Sequence, residues 1–334
     1  MSEKIRINWV DQLRGIAFYT VILGHMSILY GIKSFIYSFH MPLFFMITGL
    51  VFNIEKVYNS NFKDYFARLA RKMLVPYFFL QLLSVPIRVL VSVIQKMPID
   101  LKKWAIGILV GNNNLVEAPS NPLYYVLLLF LAQIGLWFVI KLARGKKIFI
   151  AIILCLLSTI SICSQRFNLP WHINVVPVAM LFIFIGILLM DLYFVVNKNL
   201  KTMNKWRVFA ICGVLASSGF ALNRFNGRIS IHGNYYGKSF LIFVLCAVVI
   251  SVAIALLVMR LPNLKILTFI GANTFFYMGI HKPILLLFEA IVGSYKSNPV
   301  FIIIGSLVCF FGLVPLAYLF NKYTPFVFGN GRKK

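Results

Sequence analysis

The apolar positions of this chain come in long blocks rather than alternating singly with polar ones. Ten windows of roughly 17 to 25 mostly apolar residues run over 9–30, 34–53, 73–95, 122–142, 148–164, 174–196, 207–222, 239–259, 272–293 and 299–320. Each is about the length an α-helix needs to cross a hydrocarbon core of about 30 Å. The connections are short, and no internal repeat or low-complexity tract divides the chain. The pattern predicts an all-α polytopic membrane protein of about ten transmembrane helices, a single domain over 1–334 with no appended soluble domain. One apolar run, WAIGILV, lies in the connection from Lys96 to Asn121 and is too short to span, so an interfacial or re-entrant position is expected for it.

Composition agrees with the pattern. The chain is 60% hydrophobic, 16% aromatic and only 12% charged, against roughly 25% charged in a soluble domain. The first window lacks the short basic start and small-residue cleavage site of a secretory leader, so it is expected to remain as the first helix. The five cysteines, Cys155, Cys163, Cys212, Cys246 and Cys309, lie in apolar runs without metal-ligand spacing. They are expected to be small apolar packing residues, and no metal is expected.

The net charge of +25 changes the picture only once it is placed. With ten helices, the N-terminus and the even-numbered connections hold 21 of the 33 Lys and Arg residues, while the odd-numbered connections hold 9. The positive-inside rule then sets both termini in the cytoplasm, and anionic membrane lipids are the partner of the basic side. Nucleic acid is excluded as a partner, because no basic soluble domain exists to hold it.

Chemistry is sought among polar residues that a bilayer should reject. The first window carries Asp11, Arg14 and His25. An ionisable side chain at mid-membrane costs about 2.5–3.5 kcal/mol on insertion scales, so such residues face a cavity or a partner. Arg14 and His25 are eleven residues apart, which puts them on one helical face about 16 Å apart along the axis. Asp11 is placed to pair with Arg14. His40 in the second window is expected at the depth of His25, across a three-residue turn, with each histidine five or six residues below the outer end of its helix. Histidine suits proton transfer from a hydroxyl near neutral pH, whereas Arg14 cannot act as a base and fits an electrophilic or phosphate-binding role. Arg68 and Arg71, at i and i+3 where the chain runs into the third helix, form a cationic patch suited to a polyphosphate in water. His281, Lys282 and Glu289 lie in the ninth window, while Arg88 and Asp191 are expected only to pair or snorkel. His172 and His232 fall in outer loops, where a solvated imidazole is the ordinary expectation.

These residues sit in recognisable contexts. DQLRGIAFYTVILGH followed by SFHMPLFFMITGLVF resembles the acyltransferase-3 membrane family, most closely its fucose 4-O-acetylase-like branch, whose signature of Arg, ten residues and His is met by Arg14 and His25. RLARKMLVPYFF, NPLYYVLLLF and FIGANTFFYMGIHKPI extend the resemblance over roughly residues 7–322. The resemblance implies a bacterial inner-membrane O-acetyltransferase that uses cytoplasmic acetyl-CoA to acylate a carbohydrate acceptor, a surface polysaccharide or lipid-linked sugar. It carries over Arg14 and His25 as essential residues, Arg68 and Arg71 as the Arg pair on the donor side, and His40, Asn273 and His281 more weakly. Glu289 joins them as a substrate-side candidate. Thr48 stands where many relatives have Ser, and the same hydroxyl is expected to serve. His25 would act as general base or as acyl carrier. The alternative from another class is a proton-coupled secondary transporter of an anionic or sugar-linked solute, using the same residues as a relay.

Overall fold

A computed structural model describes residues 7–165, 167–293 and 297–327, without the side chains of 197–201. Among the described residues the chain is all-α apart from one isolated bridge between Ser230 and Tyr235. In chain order the helices are α1 (Asn8–His25), α2 (Tyr30–Tyr37), α3 (His40–Leu50), α4 (Ile54–Tyr58), α5 (Phe62–Ile94), α6 (Leu101–Val110), α7 (Tyr124–Leu142), α8 (Lys147–Cys163) and α9 (Val176–Thr202). They continue with α10 (Lys205–Asn226), α11 (Phe240–Arg260), α12 (Lys265–Ala272), α13 (Thr274–Val292), α14 (Pro299–Phe311) and α15 (Val314–Tyr323).

Among the described residues, seven helical stretches are long and apolar enough to cross a membrane: α5, α7, α9, α10, α11, α13 and the α14–α15 pair. They are apolar on their outward faces too, as lipid contact requires: Leu82 and Val93 on α5, Phe194 on α9, Val214 on α10 and Ile303 on α14 are all exposed. Cys155 and Cys163 belong to such an outward face, whereas Cys246 and Cys309 are buried in the packing.

Four of the predicted windows are corrected by the structure. The first helix ends at His25 rather than residue 30, and the expected three-residue turn is replaced by the connection 26–29. The second window is two helices, α2 and α3, broken at Ser38 and Phe39, so it holds no continuous 20-residue helix. The third begins eleven residues early, because Asn61 caps α5 by accepting from Lys63 N–H and the basic segment with Arg68 and Arg71 is already helical. The last window is likewise interrupted, between Phe311 and Val314. As expected, α6 is too short to span; only Trp104, Gly107 and Ile108 on it are buried.

Two close helix crossings set the frame for the polar residues. Gly15 on α1 and Gly271 on α12 let the two backbones touch: a Cβ on Gly15 would meet the Leu267 carbonyl, and one on Gly271 would meet that of Asp11. Gln12 clamps the same crossing, donating to the Pro262 carbonyl at 3.1 Å and accepting from Leu264 N–H at 2.9 Å. The second crossing joins α5 and α13, where a Cβ on Gly279 would lie 2.7 Å from Leu80 Cβ. Pro283, inside α13, has no N–H to give the carbonyl of Gly279 four residues earlier. That carbonyl accepts instead from Ser120 Oγ at 2.6 Å and Ser84 Oγ at 3.2 Å. Ser84 of α5 and Ser120 of the loop before α7 thus supply the bonds that the proline removes, two residues from His281.

Candidate functional site

His25 is the last residue of α1, and its ring centroid lies 5.3 Å from that of His281 in α13. His281 is fully buried, set edge-on to Phe18 at 5.2 Å. Its Nδ1 lies 2.9 Å from the Tyr277 carbonyl. A carbonyl only accepts, so Nδ1 carries the proton and in the neutral ring Nε2 is a bare lone pair. That Nε2 is buried and has no hydrogen-bond partner among the described residues. His40, first residue of α3, repeats the arrangement: Nδ1 is 2.8 Å from the Ile36 carbonyl, and its ring lies 5.1 Å from Tyr37. Tyr37 in turn donates to the Gly24 carbonyl at 3.0 Å, tying α2 to the end of α1. His40 and Lys282 both act electrostatically on the His25 ring. His25 and His40 thus sit at helix ends rather than five or six residues below them, Tyr37 bridges the two ends, and His281 is the ring that lies beside His25.

Arg14 lies on the same helix three turns below His25 and donates to Asp11 Oδ1 at 2.8 Å, as its spacing predicted. Asp11 is buried and Arg14 keeps about a quarter of its side chain exposed. A guanidinium so placed has its charge matched and still has N–H groups to offer. Tyr125 on α7 lies within the electrostatic reach of Arg14 and beside Thr48, whose hydroxyl donates to the Phe44 carbonyl at 3.1 Å.

Arg68 and Arg71 are exposed on the first turns of α5, with Arg68 over the ring of Tyr65 at 5.6 Å. The structure keeps them apart from the imidazoles, at the end of α5 that follows α4. Asn273 sits in the break between α12 and α13. Its amide donates to the Phe269 carbonyl at 2.8 Å, and its oxygen accepts from Asn321 of α15. Glu289 is partly buried, eight residues beyond His281 and so about 12 Å along the helix. Arg88 pairs with Glu117 and Asp191 with Lys147, as expected of them.

The expectation for His172 and His232 is overturned. The two rings are 4.9 Å apart and both pack on Tyr124, at 4.8 and 4.9 Å. His172 is buried, and its Nε2 has no partner among the described residues. The loops that carry them interlock: Asn114 donates to Asn168 at 3.1 Å and to the His232 carbonyl at 3.2 Å, and Asn112 donates to the Leu169 carbonyl at 2.8 Å. Burial pushes the partly buried His232 ring down to about 4, so it is neutral near pH 7. Sequence spacing offers no signal for this cluster, since 60 residues and two helices separate its members. Among the described residues, no group of three His, Cys, Asp or Glu side chains is placed to hold a metal ion.

Chemically, the arrangement offers bare imidazole lone pairs at one end of α1 and a carboxylate-matched guanidinium near the other. Comparison with known proteins bears on what they serve. The model of the acyltransferase-3 family, described as an acyltransferase domain, matches residues 7–320. No curated protein and no solved structure matches the chain.

Proposed function

Because the chain belongs to the acyltransferase-3 family, we propose that it is an O-acetyltransferase that moves an acetyl group from cytoplasmic acetyl-CoA to a hydroxyl of a surface polysaccharide or its lipid-linked precursor. The observation that carries the reading is the polarity of α1. A paired guanidinium lies near its start and a histidine cluster at its end, about 16 Å apart, a span that an extended pantetheine arm covers.

In this reading the protein sits in a bacterial inner membrane with both termini cytoplasmic. The broken α2–α3 segment, α1 and α8 add to the seven long helices to give ten passes. CoA phosphates meet Arg68 and Arg71 at the cytoplasmic mouth, and the thioester reaches the imidazoles past Arg14. His25 takes the proton of the acceptor hydroxyl as its oxygen attacks the thioester carbonyl carbon. The C–S bond then breaks, and the proton passes to the CoA thiolate. His281 and His40, with Nδ1 engaged, orient lone pairs toward that step. An acyl-His25 intermediate uses the same geometry. Arg14, held by Asp11, polarises the thioester or steadies the arm. Asn273 and Glu289 belong to the acceptor side of this scheme.

Mass spectrometry of surface polysaccharides from cells with and without the gene tests the proposal. A loss of acetyl-sized mass increments on deletion is expected, and identical acetylation overturns it.

A further inference from the structure

Lys282 follows His281 directly, in the middle of a helix that is otherwise apolar over its first two turns. It is partly buried, and it takes part in none of the ion pairs formed among the described residues. Its one hydrogen bond there is long, 3.4 Å from Nζ to the His25 carbonyl, which the end of α1 leaves without a helical partner. An ammonium drawn this far from water without an ion pair among the described residues is costly, and such residues mark a ligand or a pathway.

The cations around it make the imbalance larger. Lys33 lies over the Tyr37 ring at 5.8 Å and acts electrostatically on both His25 and Lys282. Arg228, exposed on the loop before α11, acts on the same Tyr37. Glu289 is the acidic group that acts on Lys282, and Arg88, also within reach, already has Glu117. Lys282 and Lys33 thus converge on the Tyr37–His25 corner, Arg228 adds its charge from the loop before α11, and Glu289 is the carboxylate that acts on Lys282.

We propose that the acceptor is anionic, and that Lys282, with Lys33 and Arg228, holds a carboxylate or phosphate on the sugar so that a neighbouring hydroxyl meets His25. The inference rests on the acyl-transfer reading of the same site. A compact ammonium recognises such groups as a point charge and needs no bidentate geometry. The partly buried His232 ring, packed on Tyr124 and neutral near pH 7, adds no further cation to these three residues.

The test uses full-length protein in phosphatidylcholine nanodiscs with CoA saturating, so that phosphate-binding groups on the donor side are occupied. Binding of glucose 6-phosphate and methyl glucuronide is measured against neutral methyl glucoside. Tighter binding of the charged probes is expected, with a loss of tenfold or more in Lys282→Gln, recovery in Lys282→Arg, and a smaller loss in Lys33→Gln and Arg228→Gln. No preference for charge in the wild type, or an unchanged preference in Lys282→Gln, overturns the proposal. Repeating the measurement with phosphatidylglycerol in the nanodisc separates the remaining source of anion. Loss of probe binding there would assign the cations to a lipid headgroup and overturn the acceptor reading. Because binding is read without turnover, failure here is distinct from failure of acetyl transfer itself.

Discussion

His25 and His281 bring their rings to 5.3 Å across the junction of α1 and α13, and His281 arrives with its Nδ1 already bonded to the Tyr277 carbonyl. The tautomer is therefore set by the fold before any substrate is bound, and the lone pair is left on Nε2.

Replacing His281 by Gln keeps a side chain that can donate and accept but cannot take a proton. Transfer is expected to fall about 100-fold or more, the scale of general acid–base contributions, while CoA affinity stays unchanged. Steady-state kinetics with reconstituted protein checks this; full activity in His281→Gln would reduce the residue to packing.

Asp11→Ala removes the matched charge from Arg14 without touching its helix. Hydrogen bonds to charged groups are worth about 1.5–3 kcal/mol, so a lower detergent melting temperature is expected together with weaker transfer. Asp11→Asn, which keeps an acceptor for the guanidinium, should recover most of the stability. Equal melting of all three proteins contradicts the pairing as a stabilising contact.

Gly279→Ala forces a methyl group against Leu80 where α5 and α13 touch. Overpacking of this kind costs about 1–3 kcal/mol, and here it also shifts the turn that carries His281. Ser120→Ala acts on the same spot differently, leaving the Gly279 carbonyl with only Ser84. Both variants should lose thermal stability, and a Ser120→Ala protein that melts like the wild type would show that one hydroxyl suffices.

The contrast between these crossings and the α1 motif explains what was legible in the sequence. Apolar block length marked the spanning segments, and the spacing of Asp11, Arg14 and His25 foretold a salt bridge that the structure contains. Periodicity could not foretell the break at Ser38 and Phe39 or the early end of α1 at His25, because both sides of each break remain apolar. His172 and His232 were misread because loop position says nothing about burial once three loops interlock. That Lys282 forms no ion pair among the described residues was equally hidden, since this is a property of its surroundings.

The loops that carry His172 and His232 should respond to acid. Burial holds His232 near 4 in the folded protein, against about 6.5 when unfolded, so the unfolded state binds the extra proton between those values. Stability should thus be fully present above about pH 6.5 and decline as the pH falls toward 4. Thermal melts across that window should show a decline that His232→Gln reduces; an identical pH profile in the variant would detach the effect from this ring.

In the proposed mechanism His25 performs acyl transfer at the end of a route that begins with CoA on the other side. The most direct measurement loads radiolabelled acetyl-CoA onto the Arg68–Arg71 side of proteoliposomes and follows label into the carbohydrate acceptor, comparing wild type with His25→Ala. Transfer is expected from the wild type and none from His25→Ala, with CoA bound equally well by both. Normal acceptor acetylation by inserted His25→Ala protein would contradict it.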